Sequence, residues 1–245
     1  MVLSQVCPAT YFSNARSEPM PPAQFTLPIQ IDLAATFLFG LTGALAAVKR
    51  GYDVIGLFVL AFVTGLGGGL IRDGLFIQQG PPAAATNSLY IMMIAVSGLV
   101  AVFFRNYVGR FNKVIAWLDA LGLGAYAVVG VQKSLLAGLS IAAAIVVGVI
   151  NASGGGLLRD VLVRDEPLLF KPGQYYSLAA FAGCMLFAFL TRYIHMAAID
   201  AAYLTIGVTF LFRVLTIQFN WTSRAVVPLA SKPSASSGPL LPPPV

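Results

Sequence analysis

Charged residues are scarce in this chain of 245 residues: only 10% are Asp, Glu, Lys or Arg, whereas 58% are hydrophobic. Soluble domains contain about 25% charged and about 45–50% apolar residues. The mean hydropathy of +0.84 therefore indicates that the solvent is lipid. No polar stretch is long enough to form a separate soluble domain. The composition predicts a single all-α membrane domain with short tails at both ends.

Cysteine and histidine are almost absent, which removes most sites that depend on them. Cys7 and Cys184 form no CxxC pair, and His195 has no clustered partners. The chain also lacks GxSxG, HExxH and a pair of carboxylates suited to a catalytic cleft. We therefore expect no enzymatic activity, no structural metal and no cofactor. The net charge of +6 is explained by loop cations rather than by nucleic-acid binding, so we expect no nucleic-acid partner.

Seven apolar segments are each long enough to cross a bilayer, which takes about 20 helical residues. They cover residues 31–48, 54–77, 88–104, 114–132, 140–163, 175–191 and 198–215. With seven spans the two termini lie on opposite sides of the membrane. One side then collects ten cations, namely Lys49, Arg50, Arg105, Arg110, Lys113, Arg164, Lys171, Arg213, Arg224 and Lys232. The other collects Arg16, Lys133 and Arg192. Because cations accumulate in cytoplasmic loops, we predict a cytoplasmic C-terminus and an external N-terminus.

An internal repeat at an offset of 87 residues is the most informative feature of the sequence. The glycines 67–69 correspond to 154–156, and the Arg-Asp pair at 72–73 corresponds to the pair at 159–160. Each unit holds three spans, and this odd number predicts that the second copy is inverted relative to the first. The predicted boundaries are a tail at 1–30, repeats at 31–105 and 106–192, a seventh span at 193–217, and a disordered tail at 218–245.

The triple glycines lie near the centres of the second and fifth spans. Each glycine costs a helix about 1 kcal/mol relative to alanine, so three together are expected to kink or unwind it. Unwound backbone at membrane depth is tolerated only against protein or water, where its carbonyls are free to coordinate a cation. The alternative is that the glycines serve close helix packing. Two related copies, each followed by Arg-Asp, favour the first interpretation.

Charges at this depth are costly and should face protein or water. Adjacent residues on a helix point about 100° apart, so we expect the charges to pair across the repeats, Arg72 with Asp160 and Arg159 with Asp73. These four residues either line an ion path or form a structural ion-pair set. Asp32 and Asp119 are expected to cap helix N-termini or to lie in a vestibule, and Lys133 to be an interfacial anchor. Hydrogen-bonding side chains that are expected to face a pore are Thr64, Asn151 and Ser153.

The doubled GGGxxRD motif, at Gly67 to Asp73 and at Gly154 to Asp160, resembles the trimeric intracellular cation (TRIC) channels, above all their prokaryotic members. The resemblance covers about residues 30–217. It implies a homotrimer in which each protomer has its own pore, flanked by the second and fifth helices and kinked at the glycines. It also implies conduction of K⁺ and Na⁺. Animal members bind phosphoinositide through an extra lysine motif, which this chain lacks after Arg159.

The leading hypothesis is a passive monovalent cation channel in a prokaryotic inner membrane, with membrane lipids and two further copies as partners. The predicted path residues are Gly67, Gly68, Gly69, Arg72, Asp73, Gly154, Gly155, Gly156, Arg159, Asp160, Thr64, Asn151 and Ser153, with K⁺ or Na⁺ bound only transiently at the glycine carbonyls. The second hypothesis is a secondary transporter for a small zwitterion such as glycine, in which paired Arg and Asp hold a carboxylate and an ammonium group. The third is a non-conducting membrane scaffold or lipid-binding protein.

Overall fold

The structure is a computed structural model that describes residues 26–106, 112–170, 175–219 and 221. This part of the chain contains eight α-helices and no strand. The helices are α1 (Ile29–Lys49), α2 (Val54–Ile71, followed by a π-helical turn at Arg72–Ile77), α3 (Ala83–Thr86), α4 (Ser88–Phe103), α5 (Asn112–Leu136), α6 (Ile141–Leu162), α7 (Tyr176–Arg192) and α8 (Ala198–Gln218). The all-α fold class is confirmed. The predicted tails at 1–30 and 218–245 lie largely outside the described residues.

Each predicted apolar segment overlaps one helix, and α3 is an additional single turn. Five helices, α1, α2 with its π-helical turn, α5, α6 and α8, are long and apolar enough to cross a bilayer. The helices α4 and α7 are shorter, with 16 and 17 residues. Large apolar side chains cover the outside of the bundle; Ile55 is 73% exposed and Phe103 82%. An apolar exterior of this extent fits lipid and not water, so the chain is an integral membrane protein.

The turn between α1 and α2 recurs 87 residues later between α5 and α6. Gly51 and Gly138 adopt left-handed backbone conformations, with φ of 71° and 86°. The side chains of Asp53 and Ser140 then accept hydrogen bonds from the backbone N–H groups of Gly56 and Ala143. Glycine tolerates positive φ, and Asp and Ser are good N-cap residues, so both halves make the same tight reversal by the same chemistry.

The core is divided between the two halves and joined at its centre. The helix α1 packs on α2, α4 and α5, while α5 packs on α6, α7 and α8. The helices α2 and α6 pack directly against each other. Phe39 of α1 and Tyr126 of α5, which are 87 residues apart, stack with ring centroids separated by 5.2 Å. This buried aromatic pair ties the two halves together beside the crossing of α2 and α6.

Candidate functional site

The triple glycines form the contact between α2 and α6. A Cβ atom added to Gly68 would lie 2.2 Å from the backbone oxygen of Asn151, and one added to Gly155 would lie 2.1 Å from that of Thr64. Thr64 and Asn151 correspond to each other in the repeat, as do the two glycines, so the contact is reciprocal. The absence of side chains lets the two backbones touch, which favours the close-packing interpretation of the glycines.

The predicted unwinding at the glycines is wrong, because both triplets lie inside continuous α-helix. In lipid an unwound turn leaves backbone N–H and C=O groups without partners, at a cost larger than the helix penalty of the glycines. The carbonyls of Gly68 and Gly69 accept hydrogen bonds from the backbone N–H of Arg72. In this conformation one lone pair of each of these two carbonyl oxygens is therefore already used. Regular α-helix in α2 ends only at the π-helical turn that begins with Arg72.

The three hydrogen-bonding residues that we expect to face a pore are buried in this conformation. Thr64 and Ser153 donate to carbonyls of their own helices, those of Leu60 and Val149, each at 2.7 Å. Asn151 has a different role, because its Nδ2 donates to the backbone oxygen of Tyr126 at 2.7 Å. Its Oδ1 accepts a hydrogen bond from Arg72, so one side chain links α5, α6 and the end of α2.

Each arginine of the two motifs pairs with the aspartate that follows it. The Nε–Oδ1 distance is 2.6 Å for Arg72 and Asp73 and 2.9 Å for Arg159 and Asp160. The predicted cross-pairing between the repeats is therefore wrong. The angle of about 100° separates the Cα–Cβ directions only, and the long arginine stem bends back to bring Nε beside the neighbouring carboxylate. The terminal nitrogens remain available to reach other helices.

The second oxygen of each of these aspartates holds the chain segment that follows the helix. Oδ2 of Asp73 accepts a hydrogen bond from the backbone N–H of Ala83 at 3.2 Å. Oδ2 of Asp160 accepts one from the backbone N–H of Leu168 at 3.1 Å. The Arg-Asp motif therefore has the same local function in both halves, which is to fix the exit from the helix.

The first charge cluster consists of Asp32, Arg72, Asp73 and Lys133, close to where α1 begins and α5 ends. Oδ2 of the buried Asp32 accepts hydrogen bonds from Oη of Tyr90 and from Nζ of Lys133, both at 2.6 Å. The capping prediction for Asp32 is wrong, since the N-cap of α1 is Pro28. Lys133 is likewise more than an interfacial anchor, because it neutralises a buried carboxylate on another helix.

The second charge cluster consists of Asp119, Arg159, Asp160 and Arg213, and lies close to the beginning of α5 and the ends of α6 and α8. Nη1 of Arg159 donates to Asp119 at 3.0 Å and to Oγ1 of Thr42 at 3.1 Å. Asp119 lies well inside α5 and not at its N-terminus, so its predicted capping role is also wrong. In each cluster two carboxylates face two cations, which leaves both formally neutral, as buried charges require.

Arg213 and Tyr176 are site residues that sequence reasoning missed. The guanidinium carbon of Arg213 lies 4.9 Å from the centre of the Tyr176 ring, and the hydroxyl of Tyr176 lies beside Gly156, as does Oδ1 of Asp119. Arg213 is only 1% exposed and is not one of the loop cations. The sequence does contain a signal for it, since it interrupts the apolar segment 198–215 near its end. Hydropathy alone does not tell which way such a residue faces.

A cavity of about 650 Å³, here called the vestibule, lies between the ends of α1 and α6 and the beginning of α5. Its inner wall includes the buried Asp119, Arg159 and Asp160 of the second cluster. Its rim includes Arg50 and Asp165, which form an exposed ion pair. The hydrogen bond from Arg50 to Asp165, together with their charge attraction, raises the pKa of Arg50 above its ordinary value. The vestibule therefore connects the second cluster to the outside.

Comparisons with known proteins give one consistent set of relatives. The family described as Glycine transporter matches residues 29–106 and 116–192, one match in each half of the repeat. The UPF0126 inner membrane protein YadS of Escherichia coli is 29% identical over 191 residues, covering 78% of this chain and 91% of YadS. The UPF0126 membrane protein YvgT of Bacillus subtilis is 32% identical over 195 residues, covering 78% of this chain and 92% of YvgT.

Solved structures with the same fold are also similar in sequence. The crystal structure of the TRIC trimeric intracellular cation channel orthologue from Rhodobacter sphaeroides has a TM-score of 0.70 and 31% identity. The match covers 78% of this chain and 97% of that one. A second structure, from work on conductance through TRIC cation channels, has a TM-score of 0.72 and 27% identity, covering 84% of this chain and 100% of that one.

Proposed function

Because this chain belongs to the family described as Glycine transporter and is a prokaryotic member of the TRIC channel family, we propose that it is a passive channel for monovalent cations, K⁺ and also Na⁺. The proposal comprises seven membrane-crossing helices, α1, α2 and α4 to α8. Six of them form two inverted three-helix repeats, and α8 is an additional helix. The reciprocal glycine contact and the repeated turn support the inverted arrangement. Because the Rhodobacter sphaeroides relative is described as a trimeric channel, we also propose a homotrimer.

The observation that carries the proposal is the series of polar sites along the protein interior. A formally neutral charge cluster lies toward each end of the bundle, and the glycine crossing of α2 and α6 lies between them. The vestibule lining contains four carboxylates, those of Asp119, Asp160, Asp165 and Glu166, and three cations, those of Lys49, Arg50 and Arg159. The buried Arg213 is not part of this lining but balances the second cluster, so the vestibule is polar and presents carboxylates to an entering cation without a net charge of its own.

In the proposed mechanism, conduction requires the glycine crossing to open. In the described conformation the two backbones touch, which leaves no space for an ion between Gly68 and Gly155. Small residues on both helices permit α2 and α6 to shift past each other without side-chain interlocking. We propose that the ion passes from the vestibule past the second cluster, between the separated helices, and then past the first cluster. Gly67 to Gly69 and Gly154 to Gly156 flank this path.

We further propose that the vestibule faces the cytoplasm of a prokaryotic cell, with the protein in the inner membrane and its N-terminus outside. The exposed cations Arg50, Arg105, Lys113 and Arg164 lie at the end where α1, α4 and α6 finish and α5 begins. Cations at this density are typical of the cytoplasmic side. The proposal includes membrane lipids as partners and assigns neither enzymatic activity nor nucleic-acid binding.

The test is current through the purified protein in a planar bilayer, with a K⁺ gradient and an impermeant anion. We expect unitary currents that do not saturate and that reverse near the K⁺ equilibrium potential. A variant with Gly68→Leu and Gly155→Leu should have an altered conductance, because neither side chain fits between the touching backbones of α2 and α6. Unchanged conductance in this variant would remove the glycine crossing from the ion path.

The alternative is a secondary transporter for a small zwitterion such as glycine. The observation that favours it is the juxtaposition of Arg159 with Asp119 and Asp160 on the inner vestibule wall, which offers a partner for a carboxylate and one for an ammonium group. A silent bilayer together with counterflow of labelled glycine in proteoliposomes would establish the transporter. Ohmic K⁺ current without glycine counterflow would exclude it.

A further inference from the structure

A second cavity lies on the outside of the bundle, between α1, α4 and α5. Its volume is about 220 Å³, and every residue that lines it is Leu, Val, Ile or Phe. The lining includes Leu41 and Leu45 of α1, Val100 and Phe104 of α4, and Leu118 of α5. Drug-sized ligands occupy pockets of about 300–1,000 Å³ that also contain polar groups. This cavity, here called the apolar groove, suits a thin and wholly apolar chain.

Two cations stand at one end of the apolar groove. Arg105 directly follows the lining residue Phe104, and Lys113 directly precedes the lining residue Val114. Both side chains are exposed, and within the described ranges neither takes part in an ion pair. The sequence contains no Asp or Glu between Gly74 and Leu118. The end of the groove therefore carries two cations and no carboxylate from the same stretch of sequence.

The groove runs from this charged end into the apolar layer. Phe104 and Val114 lie beside the cations, whereas Val100 and Leu118 each lie four residues deeper in their helices. Four helical residues correspond to about 6 Å. A phospholipid has the same order of groups, with a charged phosphate at the membrane surface and an apolar chain below it. The groove is too narrow to admit a helix.

We propose that the apolar groove binds an acyl chain of an anionic phospholipid, whose phosphate contacts Arg105 and Lys113. Cations at the membrane surface attract anionic headgroups, and the apolar lining discriminates against any polar ligand. The acyl chain lies against Ile115, whose side chain also lines the vestibule on its other side. One side chain thus separates the bound lipid from the aqueous cavity. The site does not depend on the proposed conduction.

Trp117 provides a local reporter for the experiment. It is 37% exposed and adjoins the lining residue Leu118, one turn from Val114. The chain has two tryptophans, so a Trp221→Phe background leaves Trp117 as the sole tryptophan, which is excited selectively over the tyrosines at the red edge of the absorption band. The full-length protein is reconstituted in phosphatidylcholine vesicles that contain a fixed fraction of dibrominated phosphatidylglycerol or of dibrominated phosphatidylcholine. Bromine quenches tryptophan at contact distance, so the two quenching curves give the relative binding constant of the two lipids.

We expect the anionic lipid to bind more tightly, on the order of fivefold for each cation at low salt. In the variant with Arg105→Gln and Lys113→Gln, both lipids should quench the fluorescence of Trp117 equally. Arg164→Gln removes an exposed cation elsewhere on the same end and should keep the preference. Val100→Phe, which fills the groove, should weaken quenching by the anionic lipid with both cations intact.

Three results would overturn the proposal. Equal quenching by the two lipids in the Trp221→Phe background would show that the site does not recognise the anionic headgroup. If the variant with Arg105→Gln and Lys113→Gln still prefers the anionic lipid, these two cations do not bind its headgroup. Absence of quenching by either lipid would mean that the groove is covered, and chemical cross-linking between copies of the chain would then test it as a subunit interface.

Discussion

The substitution Gly155→Ala places a methyl group against the backbone of α2. The added Cβ would lie 2.1 Å from the carbonyl oxygen of Thr64, a group that cannot rotate away as a side chain can. Carbon–oxygen contacts between packed backbones settle at about 3.3–3.6 Å, so the two helices must separate locally by roughly 1 Å. Such overpacking costs about 1–3 kcal/mol. Gly68→Ala meets the oxygen of Asn151 at 2.2 Å and should cost the same.

The helix propensity of alanine acts in the opposite direction and requires a matched control. Alanine stabilises an exposed helix interior by about 1 kcal/mol relative to glycine. Gly207 in α8 supplies the control, because a Cβ there meets nothing within 4 Å. We expect Gly207→Ala to be neutral or stabilising. The difference between Gly155→Ala and Gly207→Ala then isolates the cost of the backbone contact.

The assay uses the buried thiol of Cys184 as the reporter of unfolding. In a Cys7→Ser background, a thiol-reactive dye labels the protein only when heating exposes Cys184. In a chain of this size, 1 kcal/mol corresponds to a shift of about 2–4 °C in the midpoint. We expect the midpoint of Gly155→Ala to fall, whereas that of Gly207→Ala stays constant or rises. Equal midpoints for the two variants would refute the claim that the glycines are required for backbone contact.

Three further predictions concern the second charge cluster, the rim of the vestibule and the central aromatic pair. Arg159→Gln removes the ion-pair partner of the buried Asp119 and leaves two carboxylates facing one cation, so it should lower the free energy of unfolding by about 3–5 kcal/mol in the same thiol assay; Asp119→Asn in that background should recover part of the loss, and purely additive effects would argue against the pair. Arg50→Glu makes the vestibule more negative, so K⁺ conductance should rise at low salt and return to the parent value at high salt, where charges are screened; equal ratios at both salt concentrations would argue against a vestibule on the ion path. Tyr126→Phe removes the hydroxyl that donates to the backbone oxygen of Gly65 and should lower the free energy of unfolding by about 1–3 kcal/mol, seen as a lower thermal midpoint; an unchanged midpoint would show that this hydrogen bond contributes nothing.

The helical segments, and the residues that correspond to each other in the repeat, could be predicted from the sequence for a physical reason. Lipid leaves no option other than helix for an apolar segment of this length, so hydropathy predicts the elements directly. Charged residues at membrane depth are costly and must find partners, which made Arg72, Asp73, Arg159 and Asp160 identifiable without a structure. The resemblance to the TRIC channels, carried by the doubled motif, is confirmed by the family match and by the solved structures.

The partner of each side chain was decided by the tertiary structure. Helix rotation and the bending of long side chains are set by the packing of all helices together, and no periodicity in the sequence encodes them. Arg72 therefore bonds Asp73 and Asn151, Lys133 reaches Asp32 on another helix, and the buried Arg213 of α8 lies over Tyr176 in the second cluster. Likewise, composition revealed that the glycines were exceptional, but only the touching backbones of α2 and α6 show why they stay helical: contact between helices offsets the cost of glycine, whereas unwinding in lipid leaves polar groups without partners.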